Sequence, residues 1–149
     1  MAGQLRVLVV EDEASMRLLI ERVLSRAGLE VVAVEDVEHA MAWIDSVDVI
    51  VADYFLRNDR GSRLARDARS ELGIFCPPIL LVTATPQAVR PEERPLFADQ
   101  LAKPFQVATL VERVRALVRD RRRARSGTEL KAVATDASTP GADGERGTG

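Results

Sequence analysis

A single cysteine, Cys76, leaves this chain without an internal disulfide and without the thiolates of a structural zinc site. Its one histidine, His39, stands beside Glu38 with no other histidine or cysteine near it in sequence, so it reads as a surface side chain rather than a metal ligand or phosphodonor. Neither sign of charge dominates. Lys and Arg number 21 against 23 Asp and Glu, a formal net charge of −2, which excludes a nucleic-acid binder working by bulk charge. No apolar run approaches the length that spans a bilayer, and the first residues read as a strand rather than a basic region followed by an apolar one. The expectation is a cytoplasmic protein, in a reducing compartment, that makes no use of a membrane.

What is present is a domain-sized chain of 149 residues with enough apolar content for one core. Acids crowd the first part of the sequence and arginines crowd Arg113 to Arg125. Short β-branched runs alternate with segments of helical period, the pattern of repeated βαβ units and a parallel sheet. The strand candidates are Leu5 to Val10, Val31 to Val34, Val47 to Ala52, Ile79 to Thr83 and Asp99 to Ala102. Met16, Leu19, Ile20, Val23, Leu24 and Ala27 mark the first helix, which Gly28 ends. Val37 to Ile44 reads as a short second helix, and Leu64, Ala65, Ala68 and Leu72 mark a third after a polar, turn-like loop from Asn58 to Gly61. Pro86, Pro91 and Pro95 limit any fourth helix to a turn or two. Val107, Leu110, Val111, Val114, Leu117 and Val118 form the stripe of the last helix, expected to fray among Arg121, Arg122, Arg123 and Arg125. The arginines there complement the negative end of the helix more simply than they serve nucleic acid or anionic lipid. From Ser126 onward the composition is too poor in bulky apolar groups to offset ordering entropy, so the tail reads as disordered.

Chemistry collects at the strand ends. Glu11 and Asp12 follow the first run, Asp53 follows the third, Thr83 closes the fourth, and Lys103 follows the fifth. A parallel α/β sheet places its chemistry beyond the carboxyl ends of its strands, so these acids and the lysine converge on a pocket suited to a divalent cation and a phosphoryl group. Each residue alone has a plainer reading: acids favoured at a helix start, a turn aspartate, a turn hydroxyl, a solvated lysine. Their conjunction is the specific signal.

Val-Val-Glu11-Asp12-Glu13, Val-Ala-Asp53 with Gly61 following, Val-Thr83-Ala84 and Leu-Ala-Lys103-Pro104-Phe105 together resemble a response regulator receiver domain of two-component signalling. The resemblance implies a flavodoxin-like (βα)5 fold, a doubly wound five-stranded parallel sheet, over residues 1–120 as a stand-alone receiver. Residues 121–149 would then be a basic helix end and a disordered tail. It implies that Asp53 is the phosphoacceptor. A carboxylate is a weak nucleophile, so Mg²⁺ would screen it from the incoming phosphoryl oxygens. By the same resemblance Asp12 and Asp53 bind Mg²⁺ directly, Glu11 through a water, and the backbone carbonyl of Phe55 completes the protein's ligands in an octahedral oxygen set.

Lys103 would pair first with Asp53 and then with a phosphoryl oxygen, Thr83 would donate its hydroxyl to that group, and the N–H groups of Phe55 and Ala84 would be the backbone donors. The implied partners are a histidine kinase or histidine phosphotransfer protein and a downstream protein target, with no direct DNA binding; a homodimer stays open. The only catalysis implied is slow self-dephosphorylation, with Phe55 and Thr85 bordering the path of water. Bulky Phe55 should then prolong the phosphorylated state.

Gln100 departs from the family, which places a switching aromatic three residues before the lysine, and Arg57 stands where many receivers carry proline. Both point to a changed output face with the phosphoacceptor chemistry intact. The Lys103-Pro104 bond is cis in the family, against the trans preference of X-Pro bonds in general. Two other functions compete. A phosphatase of the aspartyl-phosphate class needs a second Asp where Phe55 stands, and a phosphorylation-independent binding domain has no use for the complete set Glu11, Asp12, Asp53, Thr83 and Lys103. Trp43 reads as packing rather than recognition.

Overall fold

Val, Ile and Leu make β1 (Arg6–Val10), β2 (Glu30–Val34), β3 (Val49–Ala52) and β6 (Ile79–Thr83), and Leu101 alone anchors β7 (Asp99–Ala102), in the computed structural model, which describes residues 3–137, with side chains as far as Gly127. These five strands pair in parallel in the order β2-β1-β3-β6-β7, the doubly wound order expected of the sequence, with β6 and β7 as its fourth and fifth strands. A two-stranded antiparallel ribbon, β4 (Phe55–Leu56) and β5 (Asp59–Arg60), intervenes after β3. Asn58 sits at φ 62 in its turn, a conformation that asparagine tolerates better than most residues. The polar loop expected here is therefore a tight hairpin.

Alternation along the strands divides the core between the two faces of the sheet. Leu8, Val10, Ile50, Ala52, Ile79 and Leu81 point to one side, under α2 (Val37–Met41) and α3 (Gly61–Leu72). Val7, Val9, Val49, Val51, Leu80 and Val82 point to the other, under α1 (Ala14–Arg26) and the first part of α4 (Val107–Ala137). Both faces of β1, β3 and β6 are thus covered, which explains their unbroken apolar runs. Gly28 at φ 92 carries the chain out of α1, as its position after Ala27 predicts.

Some elements differ from the sequence reading. Helix α2 ends at Met41 rather than Ile44, although Ile44 is buried. Leu19, placed on the apolar stripe of α1, is exposed, and so is Trp43. In place of a fourth α-helix the chain makes two 3₁₀ turns, Pro86–Ala88 and Pro91–Leu96, with Pro95 inside the second. Proline removes donors that an α-helix would need, and the buried Val89 and Phe97 anchor the segment instead.

The chain divides into two units, one up to Val118 and one from Arg119. In the second the backbone remains helical through the arginine run and on to Ala137, beyond Ser126 where the sequence predicted loss of order. Thr128 to Ala137 is rich in Ala, Glu, Leu and Lys, which favour helix. The rest of the expected disordered tail, 138–149, lies outside the described residues.

Candidate functional site

Parallel register brings the acids together. Val10 of β1 is level with Ala52 of β3, and the Asp53 N–H donates to the Val10 carbonyl at 3.2 Å, so Glu11 and Asp53 leave adjacent strand ends side by side. Strand order reverses between β1 and β3, which opens a crevice there. Lys103 arrives from β7, its N–H bonded to the Thr83 carbonyl at 2.9 Å. Its ammonium lies 2.7 Å from Glu11 Oε1 and 2.9 Å from Asp53 Oδ2. The Lys103–Pro104 bond is cis, as the resemblance implied.

Burial opposes ionisation of Glu11 and dominates there, raising its pKa despite the opposing hydrogen bonds from Lys103 and from the Glu13 N–H. For Lys103 desolvation lowers the pKa, but the hydrogen bonds and charges of Glu11 and Asp53 together outweigh it and hold the ammonium above its ordinary range. Asp53 Oδ1 accepts from the Tyr54 N–H at 2.7 Å, which leaves Oδ2 to face the ammonium. Thr83 is buried at the end of β6 and its Oγ1 accepts from the Thr85 N–H at 3.2 Å. Gly61 closes the loop: a Cβ there would stand 2.4 Å from the Asp53 carbonyl oxygen, and its N–H donates to Tyr54 O at 2.7 Å. Only glycine admits that approach.

In kind, the donors expected for Mg²⁺ fit a hard cation, since Glu11, Asp12, Asp53 and the Phe55 carbonyl all offer oxygen. In placement, no group of three His, Cys, Asp or Glu side chains among the described residues stands ready to hold a metal ion. Glu11 faces the ammonium of Lys103 instead, and Asp12 lies on a neighbouring groove of about 310 Å³ with Glu35, Asp36, Arg57 and Asp59. The acidic pair Glu11 and Asp53 is thus charge-compensated by the lysine.

Sequence reasoning missed a second cluster next to the site. Tyr54, fully buried, donates its hydroxyl to Glu93 Oε1 at 2.5 Å, and Arg66 Nη2 meets Glu93 Oε2 at 3.2 Å. Glu93 is itself buried, on the second 3₁₀ turn. Desolvation would raise its pKa, but hydrogen bonds from Tyr54, Ser62 and Arg66 overcome that and lower it. At the expected switch position Gln100 donates to the Pro86 carbonyl at 3.4 Å. His39 pairs with Asp36 at 2.7 Å on the surface, which raises its pKa, and takes no part in the site.

Comparison with known proteins agrees with this geometry. The response regulator receiver domain model matches residues 7–115. The transcriptional regulatory protein GltR of Pseudomonas aeruginosa is 35% identical over 118 residues, which span 76% of this chain and 48% of that protein. The phosphate regulon transcriptional regulatory protein PhoB of the same organism is 33% identical over 117 residues, 76% of this chain and 51% of that protein. The chain spans about half the length of the curated relatives it matches. Among solved structures, a CheY-like receiver domain from Methanospirillum hungatei superimposes with a TM-score of 0.72 at 17% identity, covering 82% of this chain and 99% of that one. The response regulator TrrA of Thermotoga maritima, solved in complex with Mg²⁺ and BeF, superimposes with a TM-score of 0.70 at 25% identity, covering 76% of this chain and 99% of that one. No helix among the described residues is long and apolar enough to cross a membrane. A family match over most of the chain, joined to the receiver strand order, makes this chain a member of the response regulator receiver domain family, signalling modules rather than enzymes.

Proposed function

We propose that Asp53 accepts a phosphoryl group from a histidine kinase or histidine phosphotransfer protein, and that output passes to a downstream protein by direct contact. The observation that carries this reading is the Lys103 ammonium held at 2.9 Å from Asp53 Oδ2, at the strand-order reversal. A carboxylate attacking phosphorus needs positive charge on both sides of the developing charge. Lys103 supplies one, as a compact ammonium on a stem long enough to follow a phosphoryl oxygen. Asp12, Asp53 and the Phe55 carbonyl, with Glu11 through a water, are the oxygens that would hold Mg²⁺, and a bound cation would supply the other charge. Thr83 is set at the end of β6 to donate its hydroxyl once its bond from the Thr85 N–H is exchanged. In-line transfer forms the Asp53 Oδ–P bond as the donor histidine N–P bond breaks, and the imidazole keeps the nitrogen lone pair. Only slow hydrolysis of the product is expected of the chain itself. A cytoplasmic location suits this traffic.

Incubation with Mg²⁺ and acetyl phosphate, read by intact mass, tests the assignment: wild type should gain one phosphoryl group, and Asp53→Asn should not. Equal labelling of both would remove Asp53 from the role.

A further inference from the structure

A groove of about 610 Å³ lies between the β4–β5 ribbon, the start of α3 and the segment that replaces the fourth helix. Arg60, Arg63, Arg66 and Arg90 line it, with Phe55 at its edge. Two of these guanidinium groups are already neutralised: Arg63 pairs with Asp59, Asp67 and Glu38, and Arg66 with Glu93. The other two are not. Arg90 is exposed and meets no carboxylate among the described residues, and Arg60 spends its charge on ring faces, 5.5 Å from the Phe55 centroid and 5.8 Å from that of Tyr54. Phe55 is 45% exposed, yet its ring is held edge-on to Tyr54 with centroids 4.9 Å apart.

We propose that this groove is the docking site for an acidic segment of a partner protein, with carboxylates on Arg60 and Arg90 and an apolar side chain against Phe55. Carboxylate binds guanidinium by paired, charge-assisted hydrogen bonds, and aromatic and arginine side chains are those that dominate protein interfaces. A nucleic acid fits poorly. Its continuous phosphate chain would run onto Asp59 and Glu93 within the groove and onto Asp36 and Glu38 in the groove that adjoins it through Asn58, Asp59 and Arg63. A peptide with two or three acids can place its charges only where the free arginines stand. The site adjoins the phosphoacceptor through the contiguous residues Asp53, Tyr54 and Phe55, and so names the kind of partner that receives the output. Its place in signalling rests on the function proposed above, whereas the binding itself does not.

Fluorescence anisotropy on the full chain tests it with a labelled dodecapeptide in which three Asp or Glu residues flank a central Leu among neutral polar residues, and with a short single-stranded oligonucleotide of equal charge. Saturable binding of the peptide is expected, with affinity falling by about tenfold in the Arg60→Ala, Arg90→Ala double variant and about threefold in Phe55→Ala. Arg22→Ala, an exposed arginine of α1 outside the groove, should bind as wild type does. No saturable binding, an affinity indifferent to the double variant, or an oligonucleotide that binds as tightly and through the same arginines would each overturn the proposal. Asp53→Asn separates the two readings: it should abolish labelling by acetyl phosphate while the peptide still binds. A chain that takes no phosphoryl group but binds the peptide refutes the phosphoacceptor role alone, and the converse result refutes the docking site alone.

Discussion

The hydroxyl of Tyr54 reaches across the fold to the carboxylate of Glu93, 2.5 Å away and buried. Tyr54 immediately follows Asp53, and its own N–H holds Asp53 Oδ1. Glu93 belongs to the 3₁₀ turn Pro91–Leu96, which occupies the place of a fourth helix. One side chain therefore links the strand that ends at Asp53 to the segment of 3₁₀ turns, Pro86 to Leu96, that stands in place of a fourth helix. Gln100, where an aromatic was expected, makes a contact of its own to that segment through the Pro86 carbonyl.

Removing the hydroxyl should expose the cost of that link. Tyr54→Phe leaves a buried carboxylate short of one donor, which costs about 1–3 kcal/mol. Urea denaturation at neutral pH would show it as a lower midpoint at unchanged slope. The pH dependence has a definite sign, because Glu93 is held below its ordinary 4.5 by its donors. Its contribution is complete above the unfolded value and is lost as pH falls through the folded one. The gap between wild type and Glu93→Gln should therefore narrow from neutral pH toward about pH 3. A gap that widens on acidification would show that Glu93 is not stabilised as the anion.

Gly61 offers a second test, because a methyl group there would lie 2.4 Å from a backbone oxygen that cannot swing aside as a side-chain tip can. Gly61→Ala must displace either the Asp53 carbonyl or the start of α3. The expected loss is about 1–3 kcal/mol of stability. Because the displaced atom belongs to the proposed phosphoacceptor, the rate of labelling by acetyl phosphate should fall as well, by about tenfold. Ser62→Ala gives the contrast. It lies next along the helix, and its loss should cost stability through Glu93 with little change in labelling rate.

How much of this was legible depends on which force carried the signal. The strands were readable because Val7–Val10, Val49–Ala52 and Ile79–Val82 are buried on both faces and so are apolar without interruption. Asp99–Ala102, at the sheet edge, was readable only by its place before Lys103. The pairing of Lys103 with Asp53 followed from motif order, although the two are distant in sequence and only the crossover connections bring them together, whereas the contact of the same ammonium with Glu11, expected as a metal ligand, did not. Glu93 gave no such signal. A glutamate among prolines and charges reads as solvated, and its burial depends on Tyr54 and Arg66, which lie 39 and 27 residues away. The ribbon Phe55–Arg60 had a faint sign in Asn58, whose tolerance of positive φ marks a tight turn.

If Asp53 carries a phosphoryl group as proposed, Phe55 is the residue expected to set how long it lasts. Its ring is not free to sweep: the Tyr54 ring meets it edge-on at 83° and the Arg60 guanidinium lies over it. On the proposed function this position would border the approach of water to phosphoryl-aspartate, and a fixed apolar ring neither admits nor orients a nucleophile. An asparagine is smaller and can hold water by hydrogen bonds. Phe55→Asn should therefore shorten the half-life of the phosphorylated protein by about threefold or more, since orienting the attacking water lowers the barrier to hydrolysis. Following the mass-shifted species after removal of acetyl phosphate gives the decay directly. Wild-type protein that loses its phosphoryl group as fast as the variant would mean that the ring stands clear of the water's path, and that Thr85 or the β4–β5 ribbon controls access instead.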